Sequence, residues 1–117
     1  MHYKTFVHLN NLESIESDVE KAVRPFYYEN YDDSNGAKDG LWAWDWYEVG
    51  GRWSIDKTNI PVSEIANETA VNLIADGKFV NLELEPNSWG KGYKKTKDVL
   101  HELGITDLYL VVVDFHS

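Results

Sequence analysis

The chain has 117 residues, of which 43% are hydrophobic and 14% aromatic, so we expect one folded domain, residues 1–117, with a substantial core. A formal net charge of −9 argues against direct binding of a nucleic-acid backbone, and the lack of cysteine excludes disulfides and thiol chemistry. Because no apolar run approaches the roughly 20 residues of a membrane span, we expect a soluble, cytoplasmic protein without a membrane partner.

The first predicted elements are a strand and a helix. Polar and apolar residues alternate over 2–9, which is typical of a strand. Over 12–26 apolar residues recur at helical spacing while acidic residues occupy the other positions, which predicts a helix. Asn10-Asn11 provides an N-cap, and Pro25 is expected to end or kink the helix.

Residues 27–40 have no periodicity and are predicted to form a loop. Tyrosines are interleaved with acidic side chains here, and tyrosine is enriched at protein interfaces. The segment is therefore our candidate for contacting a protein partner, with an ordinary solvated loop as the alternative. The predicted contact residues are Tyr28, Glu29, Tyr31, Asp32, Asp33 and Asp39.

The stretch 41–53 is the most unusual part of the chain, because it contains four of the five tryptophans. Read with a period of two, Trp42, Trp44 and Trp46 share one face, and the opposite face also carries large side chains. An inner strand covered on both sides suits this pattern.

Gly50-Gly51 interrupts that strand. Two glycines accept the positive φ angles of a tight hairpin, which would pair Val49 with Arg52, Glu48 with Trp53 and Tyr47 with Ser54. The alternative is a glycine bulge, or a point at which a ligand or another backbone comes close. We favour the hairpin.

The remaining predicted elements follow in order. Apolar spacing predicts helices over 62–75 and 94–103, the second with three exposed lysines. Alternation predicts a strand over 79–85, and the apolar run 108–115 predicts a central strand. The resulting order predicts an α+β sandwich of a mainly antiparallel sheet with helices on one face, a ferredoxin-like variant with extra strands.

The chain lacks the nucleophile, phosphate-loop and metalloprotease motifs. Asp114 and His116 share one face of the last strand, which allows a metal pair, an acid–base pair or a structural pair holding the C-terminus. Aromatic rings stack on flat ligands and Arg52 can hold an anion, although a tryptophan-rich core explains the same residues. The candidate ligand-binding residues are Trp44, Asp45, Trp46, Tyr47, Arg52, Asp114 and His116. No bound metal or cofactor is predicted.

A resemblance adds to these patterns. The run from Trp44 to Trp53, W-D-W-Y-E-V-G-G-R-W, resembles a signature of small uncharacterised proteins of bacteriophages and prophages. The segments 87–92 and 112–117 resemble a later W-x-x-G element and a C-terminal D-x-H strand of such proteins. Phe115 stands where other members often carry cysteine, which removes a soft metal ligand. The resemblance implies a phage context and a bacterial host, and no mechanism.

Two functional hypotheses follow. The first is a non-enzymatic acidic protein that binds and inhibits a basic surface of a host protein, for example a bacterial immunity component such as a CRISPR effector. The second is a small-ligand or nucleotide binding protein, or a hydrolase, that uses the Trp/Tyr/Arg/Asp/His residues. We favour the first, and homodimer formation stays open.

Overall fold

The computed structural model describes residues 2–27, 44–53, 59–65, 68–82 and 94–117. Two α-helices lie in these ranges, α1 at Ile15–Val23 and α2 at Thr96–Glu102. The strands are β1 (His2–Leu9), β2 (Trp46–Val49), β3 (Asn59–Pro61), β4 (Asn72–Ala75), β5 (Lys78–Asn81) and β6 (Tyr109–His116). No helix in the described ranges has the length and apolar character needed to cross a membrane.

The six strands form one mixed sheet in the order β2-β6-β1-β4-β5, with β3 also paired to β6. β6 is antiparallel to β1 over its whole length, from His2 opposite His116 to Leu9 opposite Tyr109. Among the described strand pairs only β1–β4 is parallel, and an isolated parallel bridge joins Tyr27 to Trp44. The predicted α+β class with a mainly antiparallel sheet is therefore confirmed.

β6 is the central strand, as its apolar sequence predicted, and successive residues enter different cores. Val111, Val113 and Phe115 pack with Val19 and Val23 of α1. On the other face, a second core combines residues of β1, β6 and α2: Phe6, Leu110, Val112, Val99 and Leu100. The two helices therefore cover opposite faces, and the expectation of helices on one face is wrong. A strand that is apolar on both faces requires cover on both.

The ferredoxin-like detail is not confirmed. That arrangement is a split β-α-β unit, in which another strand separates the two parallel strands. Here β1 and β4 are direct hydrogen-bonded neighbours, with Phe6 opposite Leu73 and Val7 opposite Ile74.

The predicted helix over 62–75 is wrong. A short 3₁₀ turn occupies Val62–Glu64, and Asn72–Ala75 forms β4. All four residues of β4 are buried, because the strand lies between β1 and β5 and has both faces covered. A short apolar run of this kind cannot be assigned to a helix or a strand from periodicity alone.

The other elements agree with their predictions in type. α1 is followed by a 3₁₀ turn at Arg24–Phe26, where Pro25 prevents a regular continuation. β5 begins one residue before the predicted range 79–85 and overlaps it, and α2 lies within the predicted range 94–103.

The hairpin predicted at Gly50-Gly51 is wrong. β2 pairs with β6 up to Val49, and the amide of Gly50 donates to the carbonyl of Val112. Pairing with β6 resumes in β3, where Asn59 lies opposite Val111. Residues 51–53 therefore form a turn after β2, and both β2 and β3 pair with β6, which is closer to the bulge alternative than to a hairpin. Both glycines have positive φ angles, 77° and 51°, and they lead into a 3₁₀ turn at Gly51–Trp53.

Candidate functional site

The tryptophan-rich stretch is divided between the two faces of the sheet. Trp44 is 3% exposed, whereas Trp46 is 49% exposed. Asp45 forms a bend between them, so the strict alternation predicted for these residues does not hold. The predicted inner strand is also wrong, because β2 lies at the edge of the described sheet.

Trp44 belongs to the core on the α1 side. Its Nε1 donates a hydrogen bond of 2.8 Å to the carbonyl of Val23, at the end of α1. Its ring packs against Tyr27, Tyr47 and Phe115, with centroid distances of 4.7, 4.8 and 6.1 Å. A buried, hydrogen-bonded indole of this kind is structural and offers no surface to a ligand.

Tyr47 also lies on the α1 side, where its hydroxyl donates to a carboxylate oxygen of Glu20. Burial, followed by this bond, raises the pKa of Tyr47 to about 12. The same bond is the main reason that the pKa of Glu20 is lowered. Arg24 pairs with Glu20 and lies over the rings of Tyr27 and Trp44. Trp44 and Tyr47 are thus separated from the other predicted ligand-binding residues.

Asp114 is the buried carboxylate of the opposite face, with 2% exposure. Its Oδ1 lies 2.7 Å from Nδ1 of His2, and its Oδ2 accepts a 3.1 Å hydrogen bond from the amide of Arg52. A buried carboxylate needs such partners, since an unpaired one carries a large desolvation cost. Arg52 therefore binds Asp114 through its backbone amide and not through its side chain.

Gly51 lies directly against Asp114. A Cβ at position 51 would be 2.6 Å from Oδ2 of Asp114, and closer still to its Cβ. The glycine is thus required both by its positive φ and by the close approach of the two segments. The central G-G-R sequence and the C-terminal D-x-H sequence meet at this contact.

His116 forms a second histidine–carboxylate pair, with its Nδ1 2.8 Å from Oδ1 of Asp45. Both side chains are 41% exposed, so this pair lies at the surface. The amide of Asp45 also donates to the carbonyl of His116, at 2.8 Å. The bend at Asp45, which removes Trp44 and Trp46 from a common face, therefore positions this carboxylate.

The two histidines are adjacent. Their ring centroids are 5.1 Å apart at an interplanar angle of 74°, and the ring of His2 lies 6.3 Å from Trp46, edge to face. Strand register explains this, because His2 and Trp46 are the partners of His116 on β1 and β2. We call this group, formed by His2, Asp45, Trp46, Asp114 and His116, the histidine surface.

The ring nitrogens of the histidine surface have distinct roles. Nδ1 of each ring faces a carboxylate, so in the neutral ring Nδ1 carries the proton and Nε2 is the acceptor. Each carboxylate thereby fixes the tautomer and orientation of its ring. Sequence reasoning missed His2 as a member, because only the pairing register of β1 with β6 places it opposite His116.

Charged residues flank the histidine surface. Lys4 and Glu48 are the strand partners of Asp114 on β1 and β2, so they occupy the next row on the same face. Arg52 is exposed beside Asp114. Within the described ranges, no three or more His, Asp or Glu side chains are grouped so that they could hold a metal ion.

The residues predicted to contact a protein partner lie outside the described residues: Tyr28, Glu29, Tyr31, Asp32, Asp33 and Asp39. Comparisons with protein-family models, curated proteins and solved structures give no match to this chain. The resemblance to phage and prophage proteins therefore stays a prediction.

Proposed function

We propose that the histidine surface binds a small ligand that combines a flat ring with phosphate, a ligand of the nucleotide class. One observation carries the proposal: two adjacent imidazoles, each oriented through Nδ1 by its own carboxylate, lie beside a half-exposed indole. A packing role alone does not require two oriented rings at an open position.

The phosphate preference rests on the groups around the rings. The side chains of Lys4 and Arg52 are donors without acceptor capacity, which suits phosphate oxygens. The nearest carboxylates of the surface, Asp45 and Asp114, are engaged by the histidines. Beside the surface, Lys4 and Arg52 outnumber the exposed Glu48, so donors remain for an anion although the chain as a whole is acidic.

The ring preference rests on Trp46. Its indole is 49% exposed, and it stands at the end of the row that contains His116 and His2. Stacking of a base on an aromatic side chain contributes about 1–3 kcal/mol and tolerates different bases. We therefore expect the affinity to depend strongly on whether the ligand carries phosphate and only weakly on which base it carries.

The arrangement also supports hydrolysis as the chemical outcome of binding. A histidine whose Nδ1 is held by a carboxylate presents Nε2 as a general base toward a water molecule. Exposed His116, paired with Asp45, fits this role better than His2, whose carboxylate is buried.

The test is calorimetric titration of the whole chain with adenosine and guanosine nucleotides, and with the unphosphorylated nucleosides. We expect nucleotides to bind more tightly than nucleosides. Trp46→Ala and His116→Ala should each weaken binding about tenfold or more, since each removes roughly 1.4 kcal/mol or more. His101→Ala, a change at an exposed position of α2, is the matched control and should bind as the wild type does. Absence of binding across the panel, or equal weakening by His101→Ala, would overturn the proposal.

A second candidate function is supported by the net charge of −9. An acidic phage-type protein can bind and inhibit a host protein with a basic surface, such as a bacterial immunity component. A pull-down from host lysate should retain one protein at low salt and lose it as salt rises. Reversal of Glu29, Asp32 and Asp33 to lysine should abolish retention, and His116→Ala should leave it unchanged.

A further inference from the structure

We propose that Nε2 of His2 and Nε2 of His116 together bind one divalent transition-metal ion. The inference rests on the proposed function, because the ion would occupy the same histidine surface and contact the same ligand. Its second histidine, His2, comes from β1, and neither the motifs nor the D-x-H spacing indicated that residue.

The two rings have the spacing that a shared metal ion requires. His2 and His116 are direct partners in an antiparallel pair, in which opposite side chains start about 5 Å apart. Two imidazoles that share a tetrahedral ion at the usual nitrogen–zinc distance have ring centres about 5 Å apart. The observed centroid distance is 5.1 Å. The observed spacing of the rings therefore suits a shared ion without movement of the strands.

Each ring also has the outer contact that is typical of a metal-binding histidine. Histidines that bind metal almost always donate the other ring N–H to a carboxylate or carbonyl, which fixes the tautomer and raises the basicity of the ligating nitrogen. Both rings have this contact, at 2.7 Å to Asp114 and 2.8 Å to Asp45. Asp114 is itself held by the amide of Arg52, so the His2 ring is attached to a fixed support.

The ligand atoms indicate which kind of ion would bind. Imidazole nitrogen favours zinc, copper, nickel and cobalt over magnesium and calcium, which prefer oxygen. With two protein ligands in the described ranges, the ion would keep open positions for water or a phosphate oxygen, and Nε2 of His116 would then be a ligand and no longer the general base. The metal would thereby join the strands to the phosphate of the proposed ligand, while Trp46 contacts its ring.

The experiment uses the full chain without a polyhistidine tag and titrates it with Zn²⁺ or Ni²⁺ alone, by calorimetry and by NMR of the histidine rings. We expect one ion per chain and shifts confined to His2 and His116. His116→Ala should weaken binding more than tenfold, and Asp45→Asn should weaken it about 10–100-fold by removing the outer contact. His8→Ala and His101→Ala are matched controls for non-specific histidine binding.

Wild-type affinity in His116→Ala, or equal losses in the two controls, would overturn the metal inference. Because His116 and Asp45 are exposed, these variants should fold, and circular dichroism checks this. Nucleotide titration in the presence of EDTA separates the two proposals. Nucleotide binding without metal binding retains the proposed function and rejects the metal site. Metal binding at the two histidines without nucleotide binding, with or without metal, supports the site and rejects the nucleotide.

Discussion

The two faces of the sheet around β6 use the same short motif in opposite ways. On the α1 side, Trp44 and Tyr47 are packed against helix and strand, and their polar atoms are bonded to Val23 and Glu20. On the other side, Trp46 is half exposed and the polar groups are two histidine–carboxylate pairs. The motif therefore supplies a structural anchor and an open polar surface from neighbouring residues.

The comparison separates the residues of the motif that stabilise the fold from those that remain accessible to a ligand. Trp44 fixes β2 to the end of α1, and Gly51 allows the chain to pass closely over Asp114. Trp46, Asp45 and His116 contribute less burial and more accessible chemistry. Substitutions on the α1 side should therefore change the free energy of unfolding, and substitutions of exposed residues on the other side should change ligand binding.

The largest expected effect is at Trp44. Trp44→Ala should lower the free energy of unfolding by about 3–5 kcal/mol, because it removes a fully buried aromatic ring and leaves a cavity. Trp46→Ala should lower it by less than about 1 kcal/mol, as is usual for surface positions. Denaturant unfolding measures both, and similar losses in the two variants would contradict the division between faces.

The next effect is at Gly51. Gly51→Ala should destabilise the protein by about 2–4 kcal/mol, because the new Cβ meets Asp114 and the residue has positive φ. Gly77→Ala is the matched control, since Gly77 has φ +70° and nothing within 4 Å of an added Cβ. That control should lose only about 1 kcal/mol. Equal losses in thermal or denaturant unfolding would show that the Gly51–Asp114 contact is unimportant.

The two histidines should differ from each other. His2→Ala leaves buried Asp114 without its side-chain partner, so we expect a loss of about 1–3 kcal/mol. His116→Ala breaks an exposed pair and should cost about 0–1 kcal/mol. Urea unfolding of both variants at neutral pH distinguishes them. A larger loss in His116→Ala would contradict the roles given to the two pairs.

The smallest effect is at Tyr47, and it depends on pH. Tyr47→Phe removes the bond to Glu20, and about 0.5 kcal/mol is expected because the Glu20 carboxylate is 40% exposed. The lowered pKa of Glu20 contributes stability above its ordinary value of 4.5, and this is lost as pH falls through the folded value. The raised pKa of Tyr47 contributes stability that is complete below pH 10 and lost as pH rises toward 12.

Ultraviolet titration of the tyrosines provides the measurement for Tyr47. One tyrosine of the wild type should ionise near pH 12, and this step should be absent in Tyr47→Phe. A wild-type titration in which every tyrosine ionises near 10 would contradict the burial and hydrogen bond given to Tyr47.

Elements whose structure follows from a local sequence pattern were predicted correctly. The apolar run of β6 and the helical spacing of α1 and α2 lead directly to the observed elements. β4 was misassigned because its short apolar run suits a helix as well as a strand. The Trp44–Trp46 arrangement was misassigned because a single bend at Asp45 ends the period of two.

The histidine surface could be predicted only in part. Asp114 and His116 share a face by strand spacing, and the motif indicated Asp45, Trp46 and Arg52. His2 is 112 positions from Asp114, and only the register of β1 with β6 brings them together. The contact of Gly51 with Asp114 likewise depends on where β2 ends along β6, which no local pattern contains.

The central claim is that the histidine surface is a ligand site, and NMR of the tryptophan indole N–H groups tests it most directly. Substitution of each tryptophan assigns its signal, and a nucleotide panel is then titrated into the wild type and His116→Ala. We predict that the Trp46 signal shifts with nucleotide, that the buried Trp44 signal does not, and that the shift is lost in His116→Ala. A Trp46 signal that no nucleotide moves, or that moves equally in His116→Ala, would contradict the claim.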